Sequence, residues 1–353
     1  MKKILIGLIC LTLALSLVAC QPKEKTPLVV FAAGSLIQPF NELEKAFEAK
    51  YPNIDVLSEY HGSIQVMRHV TELHESIDVV ATADQSLVPM LMYAVNVPGT
   101  DQPYADWYIS MATNKLGIAY QPGSKYADEI NAENWWEILS RPDVRVGISD
   151  PRFDAVGYRA LMVFVLAQEV YKNDGIFNGF VQDQFRTPIR LIDMGDMQII
   201  RVPELLETTK GSHIFLRGAS IALISLLEAG EIDYAFEYES VIHQHGFQLL
   251  ALPPSLNLGE PNMEDFYGKV TVQLDFQRFA TVEPIFKGEQ IRYGLTIPTN
   301  APHPDEAALY INFLFSPEGQ EIMRQNAHPL TIPVVVDRPE NLPDALQGLL
   351  NIE

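Results

Sequence analysis

The chain has 353 residues, 47% hydrophobic and 20% charged, with 25 Lys+Arg against 45 Asp+Glu and a formal net charge of -20. That length suggests two or three domains, and the apolar content is enough for a core, which excludes a disordered chain. The acidity excludes a general basic footprint for nucleic acid. Two cysteines cannot build a disulfide framework or a Cys-rich zinc site. Beyond the N-terminus no uninterrupted apolar run could span a bilayer, so the body is expected to be soluble.

Residues 1–20 read MKKILIGLICLTLALSLVAC. Lys2 and Lys3 precede an apolar stretch from Ile4 to Val18, the layout of a signal peptide. The ending Leu17-Val18-Ala19-Cys20 resembles the lipobox of bacterial lipoproteins, where cleavage precedes a lipid-bearing cysteine, here Cys20. A plain secretory signal or a membrane anchor is the alternative. Loss of residues 1–20 removes Lys2, Lys3 and Cys10, leaving 23 basic against 45 acidic groups, a balance of -22. Residues 21–27 read as a polar tether.

Along the body, residues 28–32 (LVVFA) make a short buried strand that stops at Gly34-Ser35. Leu36, Ile37, Phe40, Leu43 and Phe47 then share one helical face. Ser35 sits where an N-cap belongs, and Pro39 is tolerable so early in a helix. Residues 54–60 alternate as a strand, and His61-Gly62-Ser63 leads into a helix carrying Ile64, Met67, Val70 and Leu73. Residues 77–81 make a third strand. Strand, Gly-Ser turn and helix, twice in succession, argue for parallel α/β topology.

Further strands are expected at 116–120, 144–149, 232–241 and 293–297. Helices are expected around Trp135 and Trp136 with Asn134 as cap, at 157–171, at 221–227, and from Pro304 until Ser316-Pro317. There is no internal repeat.

Enzyme signatures are thin: no P-loop, GxSxG, HExxH or GxGxxG after a strand. His243 and His245 lack a second cluster to complete a metal site, and Trp135-Trp136 reads as an ordinary helix face. What stands out is the set of strand-to-helix junctions at Gly34-Ser35, at Gly62-Ser63 and at 150–157. Helix N-termini leave N–H groups unpaired and carry partial positive charge. Several converging termini make an anion site without Lys or Arg, at the carboxyl edge of the strands. Capping accounts for either serine alone; the two together favour a ligand.

At these residues the sequence resembles the solute-binding lipoproteins of tungstate/molybdate ABC transporters, the WtpA-like group related to ModA. The matching segments are AGSLIQPFNELEKAFEAKYPNIDV, HGSIQVMRHVTEL, SDPRFDAVGYRALM and LLEAGEIDYAFEYESVIHQHG, with YGLTIPTNAPHPDEAALYINFLFSPEGQEI as a tail shared by neighbouring families. The resemblance implies a two-lobed periplasmic-binding-protein-like fold of type II. One lobe would comprise 28–113 plus 292–353 and the other 114–291, joined by a two-strand hinge crossed near 113–115 and 291–293. It implies no enzymatic activity and no cofactor. The protein would be a monomer, exported and lipid-anchored on the outer face of the cytoplasmic membrane, that captures molybdate or tungstate and delivers it to an ABC permease.

The anion contacts implied by the resemblance are Gly34, Ser35, Ser63, Asp154, Ala155, Val156 and Tyr238, with Asp154 as the carboxylate that reaches the metal centre. The family's second such carboxylate is a Glu eighteen residues before the Tyr, and here that position is Ser220. Glu237 and Glu239 flank Tyr238 and, by strand alternation, should face away from the cleft. A tetrahedral anion held by N–H and O–H donors is therefore expected rather than a six-coordinate centre. The rivals are a binder of sulfate or phosphate, a surface hydrolase with Asp154 as base, and a sensing subunit of a membrane receptor.

Overall fold

The computed structural model describes residues 25–275 and 284–352. The signal-peptide reading of 1–20, Cys20 and most of the tether lie outside the described residues.

Fifteen described strands form three sheets. The first has six, in the order β15 (Leu330–Val336), β4 (Ile109–Thr113), β14 (Arg292–Thr296), β3 (Val79–Thr82), β1 (Thr26–Ala33) and β2 (Ile54–His61). β1 runs parallel to both β2 and β3, as the repeated strand-turn-helix pattern requires. Thr26 and Pro27, assigned above to the tether, already belong to β1: Thr26 pairs with Ile54 and donates its N–H to Asn53 O at 2.8 Å. β3 starts at Val79 rather than 77, because the Asp78 carboxylate accepts the backbone N–H groups of Val29 and His303 at 2.9 and 2.7 Å.

The second sheet is ordered β11 (Gln248–Ala251), β5 (Leu116–Tyr120), β10 (Tyr234–Tyr238), β6 (Val146–Ser149) and β9 (Ile214–Arg217). The third is β13 (Ile285–Lys287), β12 (Val270–Leu274), β8 (Gln198–Val202) and β7 (Arg190–Asp193). The chain leaves the first sheet between Thr113 and Leu116 and re-enters it between Lys287 and Arg292. The result is a two-lobed, type II binding-protein architecture, one lobe built on the first sheet and the other on the second and third.

The helix Ala155–Tyr171 is buried on every face from Ala155 to Gln168, as befits a helix packed on both sides. It lies against strands of the second and third sheets. Phe164 stacks on Phe180 at 3.9 Å between ring centroids and also meets Trp135 and Phe236. Each such side chain contributes about 1.5–3 kcal/mol on burial. Trp135 is thus core, as its helix face suggests, and Trp136 packs on Tyr171.

Three local expectations need correction. Ser35 does not cap a helix; it lies in a 3-10 turn, Gly34–Leu36, ahead of Ile37–Lys50. Ser63 is the first residue of its helix, and Gly62 is the cap position. The strand expected over 232–241 ends at Tyr238, and Glu239 opens the short helix Glu239–Gln244.

Candidate functional site

Five parallel-running strands end toward one region. Gly34 and Ser35 follow β1, Ser63 follows β2, Asp154 to Val156 follow β6, Ser220 follows β9, and Tyr238 closes β10. All eight sequence-predicted residues are buried. Carboxyl ends of strands are where open α/β sheets place ligands.

The two lobes touch here. Ile64 and Gln65, at the start of the helix Ser63–Thr71, donate their N–H groups to Phe153 O at 3.0 and 3.3 Å. A Cβ on Gly62 would lie 2.5 Å from Phe153 O and 3.0 Å from Gly218 O, and one on Gly34 would lie 2.8 Å from the Ile221 side chain. These helix-terminal amides, read from sequence as open anion donors, are therefore satisfied across the cleft. Val156 N–H is likewise given to Asp154 Oδ1, at 2.9 Å.

Hydroxyl groups remain. Ser63 Oγ accepts the Ala83 N–H at 3.0 Å, which leaves its own hydrogen to donate. Asn114 Nδ2 donates to Tyr293 Oη at 3.2 Å, and Tyr293 Oη lies 2.8 Å from Ser35 Oγ. With Tyr293 accepting from Asn114 and donating to Ser35, the Ser35 hydrogen is also left over. Arg159 Nη1 donates to Tyr238 Oη, and Tyr238 in turn keeps its hydrogen, since a guanidinium cannot accept one. The Tyr238 and Tyr293 rings are 5.9 Å apart, so these chains meet.

Arg159 was not foreseen as part of the site. It is 3% exposed, donates to Ala83 O at 2.7 Å, and pairs with Asp84 at 3.4 Å. Tyr158 also donates to Asp84. Helix residues of one lobe thereby grip the β3 end of the other. The signal was present in the sequence as one arginine in the apolar run of GYRALMVFVLA. The anion site read as free of Lys and Arg thus has a buried cation behind Tyr238.

Asp154 caps its helix. Oδ1 accepts from Ser149 Oγ at 2.7 Å and from Val156 N, and the Ser220 N–H also supports the carboxylate. Burial nevertheless pushes its pKa up, with those donors and Arg159 opposing. Glu237 alternates with Tyr238 along β10. It is 1% exposed, beside Ser220 and Asp154. Both faces of β10 are buried. Glu239 is half-buried at the start of its helix.

His243 and His245 join no metal cluster: among the described residues no group of three or more His, Cys, Asp or Glu is placed to hold a metal. His245 instead sits 3.8 Å from Glu228. Among the described residues no helix is long and apolar enough to cross a membrane.

The model of the bacterial extracellular solute-binding protein family matches residues 28–326, and the chain belongs to that family. An uncharacterized solute-binding protein of Petrotoga mobilis is 38% identical over 329 residues, 92% of this chain and 91% of that protein. The molybdate/tungstate-binding protein WtpA of Pyrococcus abyssi is 36% identical over 339 residues, 94% of this chain and 92% of WtpA. Among solved structures, the sulfate-binding protein SubI of Mycobacterium tuberculosis H37Rv superposes with a TM-score of 0.55 at 15% identity, covering 87% of this chain and 88% of SubI. That last likeness concerns the fold alone.

Proposed function

We propose that the protein captures molybdate or tungstate outside the cytoplasm and delivers it to an ABC permease. The observation that carries this reading is the set of three buried hydroxyls, Ser35, Ser63 and Tyr238. Each has a protein partner behind it; Ser63 and Tyr238 accept there and keep a hydrogen for a ligand, and Ser35 does so when Tyr293 is the donor between them. A site offering donors from two lobes suits a tetrahedral oxyanion. The 36% identity to WtpA over nearly the whole chain supports the choice of ion. A second reading, sulfate, is favoured by Ser220, which takes away one carboxylate that would repel a fully ionised anion.

The protein would bind and release the anion unchanged. Residues 28–113 with 292–353 and residues 114–291 would be the lobes, closing by a hinge at the two crossings and trapping the ligand. It would act as a monomer anchored through lipid on Cys20. Asp154 would hold the helix Ala155–Tyr171 in place, and the anion would stay tetrahedral.

Calorimetric titration with tungstate, molybdate, sulfate and phosphate tests the reading. Tighter binding of the first two is expected; binding of none of the four would overturn it. Ser35→Ala and Ser63→Ala should each weaken tungstate binding by about 1–3 kcal/mol, the value of a hydrogen bond to a charged partner. Unchanged affinity in both variants, checked for folding by thermal melts, would move the site elsewhere.

A further inference from the structure

We propose that Glu237 is a specificity-determining residue of this site: a neutral carboxyl group whose O–H donates to one oxygen of the bound oxyanion. The inference rests on the oxyanion reading above.

Glu237 is 1% exposed at the end of β10, next to Tyr238. Its Oε1 accepts the Tyr238 N–H at 2.8 Å. Its Oε2 is fully buried and has no hydrogen-bond partner among the described residues. Such an unpaired buried oxygen is costly unless a ligand or a proton compensates it. The charges of Asp154 and Glu237 act on each other, and Glu237 also acts on Tyr293, which holds Ser35. Glu237 is thus within electrostatic reach of Asp154 and of Tyr293, the group that holds Ser35.

Two carboxylates and an oxyanion cannot all be ionised in one desolvated space without strong repulsion. The surroundings of the two carboxyls decide which keeps its charge. Asp154 has donors from Ser149, Val156 and Ser220. Glu237 has one backbone donor and the Ser220 hydroxyl, one donor fewer than Asp154. The pair thus divides into an ionised Asp154 and a protonated Glu237. Burial pushes the Glu237 carboxyl up to about 8, with the Tyr238 N–H and the Ser220 hydroxyl opposing and the Asp154 charge adding to the rise. A protonated Oε2 becomes a fourth hydroxyl donor, chemically akin to Ser35, Ser63 and Tyr238. The short side chain of Ser220 lies beside the Glu237 carboxyl. A binding carboxyl in this chain is then supplied by Glu237 as an acid, not from position 220 as a base.

The test is tungstate titration at pH 7 of the full chain and of Glu237→Gln and Glu237→Ala, each with a thermal melt. Glu237→Gln keeps the shape and an N–H donor, so its affinity should stay within about threefold of wild type. Glu237→Ala should lose about tenfold to a hundredfold, the equivalent of one hydrogen bond to a charged partner. Infrared difference spectra of the wild-type complex should show a protonated-carboxyl stretch that vanishes in Glu237→Gln. A folded Glu237→Ala with wild-type affinity, an equal loss in both variants, or no such stretch would each overturn the inference. Failure of the wild type to bind any tetrahedral oxyanion would instead overturn the functional reading on which it rests.

Discussion

With tungstate present, Arg159→Met should unfold about 3–5 kcal/mol more easily than wild type, and it should bind tungstate far more weakly. The guanidinium is buried and ties three groups together: Asp84 and Ala83 O of one lobe and Tyr238 of the other. Methionine fills much of the volume and supplies no donor. Asp84 is then left buried without its cation, and removing one partner of a buried ion pair carries about that penalty. Tyr238 loses the donor that frees its own hydrogen for a ligand. The double change Arg159→Met with Asp84→Asn should recover part of the stability, because the orphaned charge is gone, and should recover little of the binding. Denaturant unfolding and calorimetry on the two variants separate these effects. A single variant as stable as wild type would show that Asp84 finds another partner.

Gly62→Ala should cut tungstate affinity by about tenfold to a hundredfold while leaving the melting of the unliganded protein nearly unchanged. Gly62 has φ -61° and ψ 143°, a conformation alanine adopts freely. Its need for glycine comes entirely from the other lobe. The added methyl would meet Phe153 O at 2.5 Å and Gly218 O at 3.0 Å. These are backbone atoms that cannot rotate aside, and an overpacked contact costs about 1–3 kcal/mol. An open form would escape this cost, because opening separates the lobes, so the substitution taxes closure alone. Small-angle scattering with saturating tungstate would show a larger radius of gyration than the wild-type complex. A variant that binds and compacts like wild type would mean that the lobes do not close in this way.

The parallel core of the first sheet was legible because its signals are local. Residues 28–32 and 54–60 fall within β1 and β2, and the strand at 116–120 coincides with β5. The long buried helix was visible from its composition, two residues short at its start because Asp154 caps one turn earlier than the glycine suggested. The third sheet was not read. Its strands are short, and β7 carries mostly exposed residues, so no two-residue period marks it. At the candidate site, the junction serines lie buried where β1 and β2 end, but without the open amides that pointed to them. The helix amides that seemed available are consumed by Phe153 O and Asp154. Side-chain hydroxyls are what remain. Arg159 was missed because its partners, Ala83 and Asp84, lie far along the chain, and Glu237 was set aside on strand alternation, its neighbours Asp154 and Ser220 being likewise distant in sequence. No window of sequence holds both ends of such a contact.

On the proposed function, one oxyanion sits between the lobes against Ser35, Ser63 and Tyr238. The most direct measurement is a crystal structure of the tungstate complex with anomalous scattering from tungsten. A single tungsten peak enclosed by those three hydroxyls, with four oxygens around it, is the expected result. A peak elsewhere on the molecule, or a six-coordinate tungsten bonded to carboxylate oxygens, would contradict it.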